Sequence, residues 1–515
     1  MDWNDGYVAD IAYPAAFFPE QSPTHLSIAC ILNGVEPVPL DRPFTYFELG
    51  AGMGLTAAVL AASHPHGRFY ANDFQPAHVA SARELAERGE LDNLTLLECS
   101  FADLAAGKVD LPPLDFITLY GVYSWVTPEN RRCIVDFIAR YLKPGGIVYV
   151  NYNAMPGWAG ALPLQRMVLE HAERHPAGRE RQVAQARAFV DGMIDAGARC
   201  FDDNPVLRHR LASLADDKAG YLAHEYLNRG WEPLYHADVV RDMANAKLDF
   251  AGAANPAHAY PALFLNERQR ALLASIDDGV MRETARDYLH NTAFREDVMV
   301  RGARRMPAAR QAEWFARLGL ARISVDAGTD AAVDPLPPAI DAAQAEPLVQ
   351  PLRRLLRTLT DGPLPLVALA DVLDLPLAQV ARLGALLASA GQATFFLLDG
   401  AVNDPRAART LNRAIARDAI HGDRYQVLAA PALGGGLRAG LVQRLIYTVL
   451  TDRPGVDDVD TVLAAVRHKL DRYREALGSD SRQGAQLEAL YATLPQTVDA
   501  ILRLRVPVWR ALQVL

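Results

Sequence analysis

The stretch that most constrains the fold is an apolar run that ends on alternating glycines and passes directly into a helical pattern. Phe44-Thr-Tyr-Phe-Glu-Leu49 reads as a strand, Gly50-Ala51-Gly52-Met53-Gly54 as a turn, and Leu55 to Ser63 as a helix. That order opens a doubly wound sheet, whose ligand sits beyond the carboxyl ends of the strands. Without a Cβ, Gly50 and Gly52 can turn the chain beneath a nucleoside-containing ligand, and Gly54 can admit a close helix.

A glycine loop of this kind also serves dinucleotide enzymes, so the loop alone does not choose the ligand. Glu48 separates the readings. A carboxylate at the strand end is a poor neighbour for a pyrophosphate and a good one for the cationic amino-acid portion of S-adenosylmethionine (SAM). Asp73 ends the next strand-like segment, Arg68 to Asp73, where a carboxylate can accept both ribose hydroxyls. Phe74 follows as a candidate contact for the adenine face.

A third strand, Leu94 to Cys99, precedes Ser100 and Phe101, candidates for the adenine edge and for excluding water around the ring. The fourth, Leu114 to Tyr120, leads into Gly121-Val-Tyr-Ser-Trp-Val126. A helix from about Pro128 to Tyr141 and the turn Leu142 to Gly146 come before a fifth strand, Ile147 to Tyr152. The fold class expected is therefore α/β, a Rossmann-like sheet with its candidate ligand groups at the strand ends.

At this point the motifs become specific. Glu48-Leu-Gly-Ala-Gly-Met-Gly54 resembles motif I of class I SAM-dependent methyltransferases, and Asp73 resembles their ribose-binding acid. The resemblance implies SAM as cofactor, held by Glu48, Gly50, Gly52, Gly54, Asp73, Phe74, Ser100, Phe101 and Tyr120. Many members carry an acid where this chain has Ser100. Tyr120-Gly-Val-Tyr-Ser-Trp-Val126 and Tyr152-Asn-Ala-Met-Pro-Gly-Trp158 are similar to a narrower bacterial family with a methyltransferase regulatory region, and rickettsial protein-lysine methyltransferases are the best-characterised enzymes of similar multi-domain layout. The resemblance is strong to about residue 305 and weak beyond it.

Methyl transfer requires an aligned nucleophile and exclusion of water, with no metal or covalent nucleophile from the protein. Tyr123 and Asn153 are the expected orienting groups for an amine, and Trp158 the expected wall for its alkyl stem, with Trp125 and Tyr152 nearby. The expected substrate is a methyl acceptor, a protein lysine being favoured over a small molecule; a binding-only regulator is the third reading. The fourth-strand exit lacks the Asn/Asp-Pro-Pro-aromatic motif of amino-methylating nucleic-acid enzymes. A formal charge of −9 further disfavours nucleic acid and anionic membranes. Four scattered cysteines, no zinc spacing and no basic-apolar leader point to a reducing, cytoplasmic setting without a metal.

With 515 residues the chain exceeds one core. The expected division is a cap segment at 1–40, the sheet at 41–161, and a helical insertion at 162–225 that is a candidate dimerisation element or substrate cap. A return to the sheet at 226–305 and a bridge and linker at 306–345 follow. Residues 346–515 should then form a mostly helical substrate-recognition or docking unit, with a winged-helix-like piece and separable from the sheet.

Overall fold

The computed structural model describes residues 15–213, 226–324, 336–337, 340–398, 404–477 and 481–515. Seven strands form one sheet in the order β3-β2-β1-β4-β5-β7-β6: β1 Thr45–Leu49, β2 Arg68–Asp73, β3 Leu94–Glu98, β4 Leu114–Leu119, β5 Leu142–Asn153, β6 Leu248–Ala253 and β7 Phe294–Arg301. The first five run parallel, and β7 lies antiparallel between β5 and β6. The α/β class expected from the sequence is the one observed. β6 and β7 come from the later segment, so the region after the insertion completes the sheet.

Side chains alternate between two apolar layers, as a strand period of two requires. Tyr46, Phe69, Phe116, Ile147 and Tyr149 belong to one layer. Phe47, Ile117, Leu119, Val148 and Val150 belong to the other, where they meet Ile134, Phe137 and Ile138 of the helix Pro128–Tyr141. Strand β5 begins at Leu142, earlier than the turn residues Lys143-Pro-Gly-Gly146 suggest, and its pairing with β4 shifts register between Leu114 and Phe116.

The insertion forms helices Leu162–Arg174 and Arg179–Asp195, with shorter pieces at Arg199–Asp202 and Pro205–Ser213. They share a small core of their own containing Leu164, Val168, Ala186, Val190 and Leu207. The end of this region, at 214–225, lies outside the described residues, as do positions 1–14 of the cap. Much of the proline-rich linker, at 325–335 and 338–339, does so too.

Two boundaries differ from the sequence reading. Strand β8, Leu318–Arg322, falls within the expected bridge, yet it is the central strand of a three-stranded sheet with β9 (Leu364–Pro365) and β10 (Ala393–Leu397). With helices Ala342–Thr358, Leu366–Leu373 and Leu377–Ser389 it makes the winged-helix-like piece, which also packs on Ile28, Ile31 and Leu32 of the N-terminal helix Pro23–Leu32. A break in covalent composition is thus no break in packing.

Residues 346–515, expected to be separable, likewise pack against the sheet domain. Helix Arg406–Asp418 packs on helices Leu55–Ser63 and Pro76–Arg88 of the sheet domain, and the hairpin β11/β12 (Val427–Ala430, Gly435–Arg438) packs on Leu55–Ser63. One continuous apolar core runs from Tyr46, Val59 and Phe69 to Leu445, Trp509 and Val514. The glycine turn of the hairpin explains how close this contact is. Ser22 Oγ donates to Gly434 O at 2.6 Å and Ser63 Oγ to Gly435 O at 2.7 Å. Gly434 has φ +58°, and a Cβ there would meet Thr24 Oγ1 at 2.1 Å, so only glycine fits. Among the described residues no helix is long and apolar enough to cross a membrane.

Candidate functional site

At the carboxyl ends of β1 to β4 lies a cavity of about 350 Å³. Its lining brings together Glu48, Gly50, Gly52, Asp73, Phe74, Ser100, Phe101 and Tyr120, all singled out from the sequence. Gly54 is absent from the lining: it starts helix Leu55–Ser63 at φ +68°, where a Cβ would lie 2.6 Å from Ala82 Cβ, so it serves helix packing. A Cβ on Gly52 would meet nothing within 4 Å, whereas one on Gly50 would strike Val122 Cγ2 at 2.7 Å. The loop is therefore tight at its base and open above.

Glu48 is buried, and Gln21 Nε2 donates to its Oε1 at 3.0 Å while Oε2 has no hydrogen-bond partner. Burial, reinforced by the Asp73 charge, pushes its carboxyl up to about 8 against the bond from Gln21. A cationic ligand would supply the missing partner. Asp73 accepts the backbone N–H of Gly52 through Oδ2 and that of Gln75 through Oδ1, each at 2.9 Å. His78 Nδ1 stands 3.4 Å from Asp73 Oδ1, and the buried His78 ring, which lines the cavity, has no hydrogen-bond partner at either nitrogen.

Ser100 caps the short helix Phe101–Ala105: its hydroxyl donates to Asp103 Oδ2 at 2.7 Å and accepts from Asp103 N at 3.1 Å. That leaves the hydroxyl engaged locally, with Ser100 still on the cavity wall. Tyr120 is stacked under Phe18, centroids 3.6 Å apart. Phe18 N donates to Thr56 Oγ1 at 3.2 Å, and Ala15 and Ala16 also line the cavity, so the N-terminal segment roofs the site. The sequence reading missed Gln21, Phe18 and His78, which arrive from helices and a segment with no motif of their own.

The three groups expected to orient the acceptor lie elsewhere. Tyr123 is fully buried, and its hydroxyl donates to Asp242 Oδ2 at 3.1 Å. Asn153 is buried beneath the β5 exit, its N–H donating to Ser124 Oγ at 3.1 Å and its Nδ2 unpartnered. Tyr152 is spent on Asp297 at 2.7 Å, which also meets His236 at 3.0 Å. Trp158 is buried edge-on to Trp231, centroids 4.9 Å apart, with Arg210 over its ring at 4.1 Å. Trp231 lies 6.3 Å from Trp125, and Trp125, with Val126, Thr127 and Asn130, forms the outer cavity wall. Trp158 thus reaches the cavity through two other tryptophans. A β-strand side chain alternates faces, and the loop after a strand can turn it inward, which sequence position alone does not reveal.

The Glu48 geometry has a pH consequence. Its folded value of about 8 exceeds the ordinary 4.5, so the proton it holds favours the folded chain; that contribution is complete below the ordinary value and is lost as pH rises through about 8. Glu48→Gln keeps the neutral shape and lacks the titration. The melting temperature of the wild type minus that of Glu48→Gln should fall from pH 5 to about 9. A difference that stays flat across that range would mean Glu48 is ionised in the free protein.

Comparison with known proteins agrees with this architecture. Residues 47–148 match the family of methyltransferase domains, and residues 218–301 match the family described as a predicted methyltransferase regulatory domain. An uncharacterized protein of Synechocystis is 39% identical over 302 residues, 59% of this chain and 59% of that protein. One from Rickettsia prowazekii is 25% identical over 297 residues, 56% of this chain and 51% of its own length. These matches therefore span little more than half of either relative. The solved structure of PKMT2 from Rickettsia typhi superposes with a TM-score of 0.68 at 17% identity, covering 97% of this chain and 99% of that one. The same protein in complex with AdoHcy gives 0.66 at equal coverage. The strand order and the glycine loop give the chain a Rossmann-like methyltransferase fold, with the methyltransferase-domain match falling on its first five strands and the regulatory-domain match on the segment that returns to the sheet.

Proposed function

We propose that the chain is a SAM-dependent methyltransferase whose acceptor is a lysine amine of a protein. The observation that carries the cofactor is the buried, half-partnered carboxyl of Glu48 sharing one cavity with Asp73 beyond the strand ends. When bound there, SAM supplies an electrophilic methyl carbon on a sulfonium. Glu48 holds the amino-acid end, Asp73 the ribose, and Phe74 and Phe101 flank the base. Phe18 and Tyr120 keep water from the inner end.

The acceptor enters past Trp125, Val126, Thr127 and Asn130. An ammonium must lose its proton before its nitrogen can attack, and an aromatic wall suits both the apolar stem and the cation. Trp158 acts as a positioning residue, holding Trp231 and through it Trp125; Tyr123 and Asn153 brace the two loops from behind. Support for a protein acceptor comes from the resemblance of the 120–126 and 152–158 segments to protein-lysine enzymes. The surface of the insertion and the C-terminal region adds room for a macromolecule.

The test is transfer from methyl-labelled SAM into a fractionated native extract, with intact mass and peptide fragmentation locating the label. Label on protein lysine is expected. Label found only on a diffusible metabolite would replace the acceptor with a small molecule, and no transfer at all would leave a SAM-binding regulator. Trp158→Ala should lower kcat/KM for the acceptor about 10–100-fold while SAM affinity holds, because the wall shifts and the cofactor groups do not. Equal losses in both would remove the positioning role.

A further inference from the structure

A second cavity, of about 320 Å³, opens in the C-terminal region between helices Arg406–Asp418, Leu441–Asp452 and Val506–Ala511 and the turn at Pro454–Val456. Three arginines line it, Arg409, Arg413 and Arg510, together with Tyr447 and Thr451, and no aspartate or glutamate side chain does. Arg409 and Arg413 stand one turn apart on one helix face, where like charges repel, and Arg510 adds a third from another helix.

The neighbouring arginines behave differently. On the same helix Arg406 pairs with Asp404 at 2.6 Å and Arg417 meets Asp452 at 3.5 Å. The chain has 61 acidic residues against 52 basic ones, so carboxylates are not scarce. Among the described residues the guanidinium groups of Arg413 and Arg510 nevertheless enter no hydrogen bond or ion pair. Arg409 donates through Nη2 to Leu515 O at 2.5 Å, and its Nε is buried with no partner. Burial pushes the Tyr447 hydroxyl up to about 12, against the pull of Arg413 and Arg409, which line the same cavity.

We infer that this cavity is a binding site for a phosphate-bearing small molecule, held by the forks of Arg413 and Arg510 with Arg409 behind them. A guanidinium fork presents paired donors that match an oxyanion; the one acid in the lining, the carboxyl group of Leu515, is met by Arg409, which leaves the charge of Arg413 and Arg510 to a ligand. Thr451 adds a hydroxyl at the rim. The cavity is remote in sequence from the glycine loop and shares no lining residue with the first one.

Isothermal titration of the full chain with inorganic pyrophosphate at low ionic strength, with and without S-adenosylhomocysteine, tests the assignment. One-to-one saturable binding is expected in both conditions. The double variant Arg413→Gln/Arg510→Gln should weaken it at least tenfold, and Arg417→Gln, one helix turn away and outside the cavity, should leave it within twofold. Absence of saturable binding overturns the inference, as does an equal loss in Arg417→Gln. Displacement by S-adenosylhomocysteine with the arginine variants unaffected would place the anion in the first cavity and also overturn it. In a parallel titration succinate should bind more weakly; equal or tighter binding would reassign the site to a carboxylate.

Discussion

Trp509→Ala should destabilise the entire chain by about 3–5 kcal/mol, although the residue lies in the last helix and far in sequence from the glycine loop. Trp509 is fully buried, edge-on to Tyr447 at 6.1 Å, in the apolar core that continues to Val59 and Phe69 under the sheet. The cost includes the lost transfer energy and the cavity left behind, because dense surroundings relax only in part. For one cooperative unit of 515 residues the midpoint should drop by roughly 1 °C for each kcal/mol. The decisive readout is which transition moves. With one shared core, the unfolding step protected by S-adenosylhomocysteine and the unfolding of the C-terminal helices are the same step, and both move together. Two resolved transitions, with the ligand-protected one unmoved in Trp509→Ala, would restore an independent C-terminal domain. Trp509→Phe should cost much less: the indole Nε1 is buried without a hydrogen-bond partner, so losing that N–H relieves an unpaired donor.

That shared core marks where sequence reading stopped. Strands β1 to β5 were legible because each is an apolar run closed by turn residues, and the glycine loop fixed their order and the end at which ligands gather. β6 and β7 were legible as returning segments once the insertion was recognised as helical. Composition misled at the linker: alanine, aspartate and proline between 330 and 345 suggested two bodies joined by a tether, yet β8 before it forms one sheet with β9 and β10, which come well after it. Non-local pairing of this kind leaves no local signal. The triple glycine at Gly434, Gly435 and Gly436 was the available clue to close contact, since Cβ atoms at Gly434 and Gly436 would strike Thr24 and Val59.

Most of the residues expected to hold the cofactor share one cavity and those expected to orient the acceptor do not line it, for a physical reason. Ligands in this sheet type sit at strand ends, so a carboxylate there faces the cavity by topology alone. Loop residues have no such rule. Tyr123, in the loop after β4, turns into Asp242, and even Asn153, which ends β5 as Asp73 ends β2, is buried outside the cavity with its backbone N–H on Ser124. The residue that does reach the cavity from the first of these loops is Trp125. Gln21 and Phe18 illustrate the converse: neither belongs to a motif, yet Phe18 lines the cavity and Gln21 bonds Glu48 from the segment that precedes helix Pro23–Leu32.

Asp73→Ala should weaken binding of S-adenosylhomocysteine by about 1–3 kcal/mol, the cost of losing charge-assisted bonds to the ribose. A carboxylate offers about four lone-pair sites. Two are taken here, by the N–H groups of Gly52 and Gln75, and two remain for a vicinal diol. Because one of those backbone bonds comes from the glycine loop, the variant also loosens the loop, and a simple affinity loss would not distinguish the two effects. A double cycle does. In the wild type, a 2′-deoxy analogue of the ligand should bind more weakly than the parent; in Asp73→Ala the two should bind nearly alike, since the partner of the missing hydroxyl is gone. Asp73→Asn, which can keep one acceptor oxygen, should fall between. If the 2′-deoxy penalty is as large in Asp73→Ala as in the wild type, Asp73 shapes the loop and another group holds the ribose, with His78, buried beside it and unpartnered at both nitrogens, next in line.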